Sequence, residues 1–241
     1  MNRLIFILLA NLNFTSSILA YDCEIEGIYY NRINATDFEV TYKNKECNSY
    51  SGNIIIPSSV KYRDKKYNIT QIGDSAFFLS KGITSVIVPE GITYIGERAF
   101  QGCTGLSSIN LPNSIHSIGN MSFSLCNFKL IQLPKELINI GDYSFYGCKQ
   151  LTSIVFSNKV ETIGNGVFRL CYNLESIELP NSITFIGERA FESCWSLISV
   201  KLPENITVIK KETFANCRAL TSIDIPNKVK TIEDYAFSYC I

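Results

Sequence analysis

The chain has few of the residues on which enzyme active sites and metal centres depend. Its 241 residues include one histidine, His116, one tryptophan and two methionines. Nine cysteines are present, but no Cys-x-x-Cys pair or cysteine–histidine cluster occurs, so the ligand spacing of a zinc site is missing. His116 falls in a linker, where a solvated side chain is expected. No nucleophile with a base and no converging pair of carboxylates can be recognised. The sequence predicts no enzyme, no metal site and no cofactor.

The chain also has no excess of charge of either sign. The chain has 22 lysines and arginines against 22 aspartates and glutamates, so its formal net charge is +0. A neutral chain has no overall electrostatic attraction for nucleic acid or for an acidic membrane. We therefore predict no nucleic-acid partner. Because no catalytic group of residues can be recognised, we predict no small-molecule substrate either. Hydrophobic residues make up 46% of the chain, which is enough to form a sizeable core.

Long hydrophobic runs are absent as well. The apolar run at residues 4–10 is too short to span a bilayer. Arg3 precedes it, and the small residue Ala20 lies just before the acidic Asp22, as is typical of a cleaved secretory signal peptide. We predict a signal peptide at residues 1–20. The alternatives are a buried strand or a membrane anchor.

A repeat of 23 residues fills most of the remaining chain. Isoleucines that open the same phrase recur at intervals of 22 or 23 residues, at Ile72, Ile95, Ile118, Ile140, Ile163, Ile186, Ile209 and Ile232. A strict period of this length is typical of a solenoid, in which each unit buries its apolar residues against its neighbours. Phe100 is thus expected between Phe77 and Phe123. We predict one elongated repeat array over residues 50–241.

Each repeat divides into two halves. Residues 174–180 alternate apolar and polar side chains, as a half-buried strand does, and end at a proline. All seven prolines occupy this position, and Ser157 replaces proline in one repeat. The other half, Ile-Gly-x-x-Ala-Phe-x-x-Cys, spaces its apolar residues like one or two turns of helix. The predicted fold class is therefore α/β, a solenoid with a parallel sheet on its concave face and short helical turns on its convex face.

This pattern resembles the leucine-rich repeats of the BspA-like, or Treponema pallidum-type, surface protein family. Runs such as residues 186–191 carry the resemblance, which covers residues 50–241; in the same repeat they are followed by Cys194, Leu197, Val200, Leu202 and Pro203. The resemblance implies a leucine-rich-repeat solenoid in a secreted or cell-surface protein, with a role in adhesion that includes attachment to host matrix proteins. It does not name a ligand.

The cysteines fall into two groups. Seven share one repeat position and are predicted to form a buried row of small spacers, because their parallel Cβ vectors suit a disulfide poorly; they are Cys103, Cys126, Cys148, Cys171, Cys194, Cys217 and Cys240. The other two, Cys23 and Cys47, lie in residues 21–49, which lack the repeat. Strand-like runs at residues 28–30 and 38–42 predict a β-hairpin there, as an N-terminal cap. A disulfide between Cys23 and Cys47 would staple this cap.

Two columns of outward side chains are expected on the strand half. One column is almost always serine and is interpreted as a structural hydroxyl ladder. The other varies in size, polarity and sign and begins at Ile87; its predicted partner-binding members are Asn110, Gln132, Val155, Glu178, Lys201 and Asp224. Repeat proteins bind where the repeat varies, so we predict that a protein or glycoprotein partner contacts this column. The family resemblance implies that such partners include host extracellular matrix. The alternative is neutral drift at exposed positions. The aromatic residues Tyr94, Phe185 and Trp195 are the second-ranked candidates for contact with a partner.

Four Asn-x-Ser/Thr sequons lie outside the predicted signal peptide. Asn-x-Ser/Thr sequons predict glycosylation in a eukaryotic secretory pathway at Asn34, Asn68, Asn120 and Asn205, or else arise by chance in an asparagine-rich chain. The chain stops after a Phe-x-x-Cys half-unit. This predicts that a partner or self-association covers the last core layer, or that the sequence is a fragment.

The sequence thus favours a non-catalytic secreted or cell-surface protein that mediates macromolecular binding or adhesion through its concave sheet. The alternative is an intracellular leucine-rich-repeat scaffold or regulator of a partner protein, with its apolar N-terminus retained. A disulfide between Cys23 and Cys47 in native material would argue against the intracellular alternative, because disulfides persist in oxidising compartments.

Overall fold

The structure is a computed structural model that describes residues 21–43 and 50–240. The predicted signal peptide and Cys47 lie outside the described residues. Nineteen strands and no helix are present in the described ranges. No segment there forms a helix able to cross a membrane.

The first strands form the predicted hairpin and connect it to the repeats. Strands β1 (Cys23–Ile25), β2 (Ile28–Arg32) and β3 (Asp37–Thr41) pair antiparallel in order. Strand β3 then pairs in parallel with β6 (Lys65–Ile72), and β5 (Ser59–Tyr62) lies antiparallel to β6. The hairpin therefore belongs to the same sheet as the first repeats.

That sheet, which we call the continuous sheet, runs through most of the array by way of very short strands. They pair in parallel from β6 onward and are β8 (Tyr94–Ile95), β10 (Ser117–Ile118), β12 (Asn139–Ile140), β14 (Thr162–Ile163) and β16 (Phe185–Ile186). Strands β18 (Val208–Ile209) and β19 (Thr231–Ile232) form a separate pair of the same kind. The repeat isoleucine is therefore a strand residue, although its half of the repeat was predicted to form helical turns.

The predicted strand half forms a second set of parallel strands, which we call the interrupted sheet. Its three groups are β4 (Ser51–Ile55), β7 (Gly82–Ile87) and β9 (Ser108–Asn110); β11 (Leu130–Gln132) and β13 (Ser153–Val155); and β15 (Ser176–Glu178) and β17 (Ser199–Lys201). Pairing is in register, with Ser176 opposite Ser199 and Glu178 opposite Lys201. Equivalent residues of neighbouring repeats thus stand side by side within each group.

The predicted helical turns are wrong, and so is the α/β class. The turn half has no helix, and the described chain is a β-solenoid of leucine-rich repeats. In the repeat after β8, Arg98 and Gly102 have left-handed φ values of 54° and 73°, which a right-handed helix does not accommodate. The backbone N–H groups of Arg98, Phe100 and Gly102 donate to carbonyls of the next repeat at 2.7–2.8 Å, whereas those between them donate three residues back. Half of the donors therefore join repeats, so no helical ladder forms.

The phenylalanine of every repeat forms a continuous stack in the core. Phe100 lies between Phe77 and Phe123, at ring-centroid distances of 4.8 and 5.3 Å, which confirms the prediction. The stack runs on at similar spacing through Phe145, Phe168, Phe191, Phe214 and Phe237. Each ring shields its neighbours from water, so each repeat completes the core of the next.

The seven repeat cysteines form the predicted row of free thiols; all are buried except Cys240, which is half-buried. They are more than spacers. Each Sγ donates a hydrogen bond to the carbonyl of the preceding repeat's phenylalanine, at 2.9–3.2 Å. Burial raises the pKa of Cys103 and of Cys148 to about 12. The thiols are therefore structural and chemically quiet.

Candidate functional site

The six predicted partner-binding residues are all exposed and belong to the interrupted sheet or to its continuation after β17. Each short strand places one apolar residue inward and the flanking two outward, as strand alternation requires. In β15, for example, Ile177 is buried between the exposed Ser176 and Glu178. The variable column is therefore available to a partner along the length of the sheet.

The serine column next to it does not form the expected hydroxyl ladder. Ser85 donates to Asn53 Oδ1 at 2.9 Å, but within the described ranges no hydrogen bond joins one serine of the column to the next. Leu130 even replaces serine once and is well exposed. The serines are thus small outward residues that leave the variable column uncovered.

Charged members of the variable column lie together at one place. Lys201 Nζ and Glu178 Oε1 form an ion pair at 2.7 Å. Their hydrogen bond, followed by Coulomb attraction, lowers the pKa of Glu178 and raises that of Lys201. Both side chains are solvent-exposed, so the pair adds little stability. It fixes the position of two charges on the surface instead.

Glu178, Lys201 and Asp224 line one cleft of about 730 Å³. Asn110, Gln132 and Val155 do not line it. Half of the predicted residues are thus brought together, and the other half extend along the sheet away from the cleft.

The cleft lies where the interrupted sheet stops. Strand β17 pairs with β15 on one side, whereas residues 221–226 on its other side are not a strand. Among these described residues, no backbone hydrogen bond connects 199–202 to 221–226. The backbone edge of β17 therefore opens into the cleft.

Two residues that line this cleft were not predicted from the sequence. Glu204 and Asn227 each follow the repeat proline and line the cleft beside the predicted residues. Neither Glu204 nor Asp224 forms an ion pair with another described residue. The residue after the proline varies from repeat to repeat, which is the signal that identifies this position.

A different cleft, of about 490 Å³, lies on the continuous sheet. Tyr94, Asn120, Asn139 and Phe185 are among its lining residues. Phe185 is 43% exposed, whereas Tyr94 is half-buried. Of the three second-ranked aromatic residues, Tyr94 and Phe185 therefore line this cleft, whereas Trp195 does not.

Recurring acidic and amide residues after the repeat glycine have a structural role. Asp142 Oδ1 accepts the backbone N–H of Asn165 at 2.7 Å, and Asn165 Oδ1 accepts that of Glu188 at 2.9 Å. Asp74 and Asn120 accept in the same way from the following repeat. These side chains join neighbouring repeats.

The four sequon asparagines are exposed. Asn34 and Asn68 both donate to Asp37, at 2.8 and 3.3 Å, and Asn205 donates to the carbonyl of Asn181 at 3.0 Å. Their exposure makes them accessible to a modifying enzyme, and their glycosylation stays a prediction.

Cys23 is buried in β1. Its predicted partner Cys47 is outside the described residues, so the disulfide stays a prediction too. His116 is exposed. In the part of the chain that the structure describes, no group of three histidine, cysteine, aspartate or glutamate side chains is placed to hold a metal ion.

Comparison with known proteins agrees with the repeat pattern. The model for the BspA type leucine-rich repeat region (6 copies) matches residues 43–129, 70–194 and 116–241. The crystal structure of the T. pallidum leucine-rich repeat protein TpLRR is similar, with 25% identity and a TM-score of 0.59 over 87% of this chain and 85% of that one. A leucine-rich repeat protein from Bacteroides ovatus is also 25% identical, with a TM-score of 0.53 over 91% of this chain and 80% of that one.

The pneumococcal vaccine antigen PcpA shares the fold alone, at 17% identity and a TM-score of 0.60, over 86% of this chain and 70% of that one. No curated protein matches the chain. The family model covers the whole array that the 23-residue period defines, and the chain belongs to the BspA-type leucine-rich repeat family.

Proposed function

We propose that the protein is a non-catalytic binding protein that acts at the cell surface or after secretion. Its partner is a macromolecule, a protein or glycoprotein, that contacts the interrupted sheet. The observation that carries this proposal is the variable column, whose six predicted partner-binding members are all exposed while three of them line the cleft at the end of β17.

The contrast between inward and outward positions supports a binding role. Inward residues repeat because each must fit the same layer of the core, whereas the outward column changes from Asn110 and Gln132 to the charged Glu178, Lys201 and Asp224. Such a surface gives a partner both neutral polar contacts and charges of both signs. Charge complementarity of this kind contributes specificity and fast association.

The sequence supports the extracellular location. Residues 1–20 have the pattern of a secretory signal peptide, and the four sequons lie at exposed positions. Adhesion to host extracellular matrix is the specific role that we propose, and purified matrix proteins are the first ligands to test.

Charge reversal tests the binding face. Glu178→Lys, Lys201→Glu and Asp224→Lys each alter one exposed charge in the cleft, so folding should be retained in all three. Because exposed interface charges are each worth roughly 0.2–1 kcal/mol, we expect up to about a fivefold change in affinity per substitution for a bound matrix protein. Lys66→Glu, an exposed reversal on β6, is the matched control. Binding by all three variants at the wild-type affinity would place the site elsewhere.

N-terminal sequencing tests the location separately. Material purified from its source cell should start near Tyr21 and be recovered outside the cell or at its surface. An internal protein that retains Met1 would overturn the extracellular proposal and support the intracellular scaffold.

A further inference from the structure

A third column of side chains changes character along the array. It consists of the residue that follows each repeat cysteine, and it begins with the small polar Thr104 and Asn127. The next four members are Lys149, Tyr172, Trp195 and Arg218. We call these four residues the aromatic–cation ladder. They belong to neither sheet.

The members of the ladder stack on one another. The rings of Tyr172 and Trp195 are 4.1 Å apart at an interplanar angle of 21°. Lys149 Nζ lies 5.6 Å from the centre of the Tyr172 ring, and Arg218 Cζ lies 4.8 Å from that of Trp195. Since the four residues come from successive repeats, each aromatic ring has a cation on one face and the other ring on its second face.

The ladder remains open to solvent at its edge. Trp195, Lys149 and Arg218 are exposed, with Trp195 at 39%, and Ile198 beside the ladder in sequence is 62% exposed. Arg218 Nε donates to Asn216 Oδ1 at 2.9 Å. Neither Lys149 nor Arg218 forms an ion pair with any described carboxylate. Two cations therefore flank exposed aromatic surface without a salt-bridge partner among the described residues.

We propose that the aromatic–cation ladder is a second docking surface and that it binds an acidic segment of a partner protein. Carboxylates of that segment pair with Lys149 and Arg218, and its apolar side chains cover the edges of Tyr172 and Trp195. Charge complementarity favours an acidic occupant. A sugar ring binds an aromatic residue by its open face, and both faces of each ring in the ladder are already occupied, which favours a peptide over a glycan.

The spacing of the two cations specifies the segment further. Lys149 and Arg218 are three repeats apart, which at about 4.8 Å per strand is roughly 14 Å. An extended chain rises about 3.3 Å per residue, so acidic residues about four positions apart reach both cations. This proposal is independent of the binding face on the interrupted sheet, whose residues it does not use.

Trp195 is the only tryptophan of the chain and so reports directly on the ladder. The probe is an otherwise neutral peptide with two glutamates four positions apart, and its matched control has glutamines in their place. We expect the glutamate peptide to change Trp195 fluorescence saturably, less strongly as salt is raised. Lys149→Gln and Arg218→Gln should each weaken this binding by up to about fivefold, whereas Lys66→Gln should leave it unchanged.

Three results would overturn the proposal. They are no fluorescence change at saturating glutamate peptide, equal binding of the glutamine peptide, and equal binding by the Lys149→Gln and Arg218→Gln variants. Heparin serves as the sulfated-glycan probe, and a response to heparin without one to the peptide would also reject an acidic protein segment. Circular dichroism verifies that the exposed substitutions leave the fold intact.

Discussion

At the scale of single residues, the unusual feature is the left-handed backbone of the turn half. Two positions in every repeat adopt it, and several hold large side chains, such as Met121 at φ 54°, Leu125 at 62° and Tyr143 at 56°. This conformation costs L-residues about 1–2 kcal/mol each. The inter-repeat hydrogen bonds of the same turns offset that cost. Nothing in the identity of Met121, Leu125 or Tyr143 signals a positive φ, so the sequence did not predict it.

Replacing one such residue by glycine should stabilise the protein. Arg98 is exposed with φ 54°, so Arg98→Gly relieves the left-handed strain but adds freedom to the unfolded chain. We expect the free energy of unfolding to rise by about 0.5–1 kcal/mol in urea titrations. Gly96→Ala is the opposite case, because its Cβ would lie 2.6 Å from the backbone of Gly73 and Asp74. Loss of stability in both variants would contradict this account.

The cysteine row predicts a pH dependence. Burial raises the pKa of Cys148 from 9.0 to about 12. The native state therefore keeps its proton where the unfolded state loses it, so this contribution to stability is complete below pH 9 and is lost as the pH rises towards 12. Urea titrations should show a shallower decline between these pH values for Cys148→Ala than for wild type. Ellman's reagent should modify Cys240 first among the repeat thiols. Rapid modification of the buried thiols in the native state would contradict the structural role of the row.

At the scale of elements, the sequence was informative where a pattern is long enough to detect. The alternation in residues 174–180 predicted a strand, and β15 is present there. Strands such as β8 and β14 are two residues long, which is too short for alternation to appear. The turn half has helical spacing, but half of its backbone N–H groups donate to the next repeat. The sequence of a single repeat does not show these neighbouring acceptors, so the turn conformation could not be predicted from it.

The candidate site follows the same rule. Outward residues of β15 and β17 could be predicted from alternation, which placed Glu178 and Lys201 on one face. Glu204 and Asn227 follow the proline and could not be placed by alternation. The break in pairing after β17 also depends on packing, so the cleft itself was not predictable.

The side-chain bonds after the repeat glycine should contribute measurably to stability. Asn165 accepts the N–H of Glu188 and donates to Asp142, so Asn165→Ala removes two side-chain hydrogen bonds and leaves the backbone N–H of Glu188 without an acceptor. A loss of about 1–2 kcal/mol is expected from thermal or urea unfolding. Asn173→Ala, at an exposed position in the same repeat, should stay close to wild type. Equal effects of the two substitutions would show that these two side-chain bonds contribute nothing.

At the scale of the whole molecule, the period of 23 residues determined the architecture. Each repeat contacts mainly its neighbours, so stability should be a sum over repeats and their interfaces. The solenoid, the resemblance to the repeat family and the phenylalanine stack could all be predicted from that period. The ligand does not, because contact area does not convert into affinity.

Removal of one full repeat should therefore be tolerated. Deletion of residues 96–118 joins Ile95 to Gly119 and restores the repeat phrase. We expect a folded protein with a β-rich circular dichroism spectrum and reduced stability. Deletion of residues 96–106 breaks the register and should prevent cooperative folding. Failure of the full-repeat deletion to fold, or retention of the fold in both, would contradict nearest-neighbour assembly.

The most direct test of the central claim is site-specific photo-crosslinking on intact, unpermeabilised source cells in contact with extracellular matrix. A photoreactive residue at Lys201 samples the interrupted sheet, and one at Asn139 samples the continuous sheet as a matched control. We predict crosslinks to an external macromolecule from position 201 and few from position 139. Crosslinks from position 139 alone, or crosslinks from position 201 only to internal proteins of the source cell, would contradict the claim.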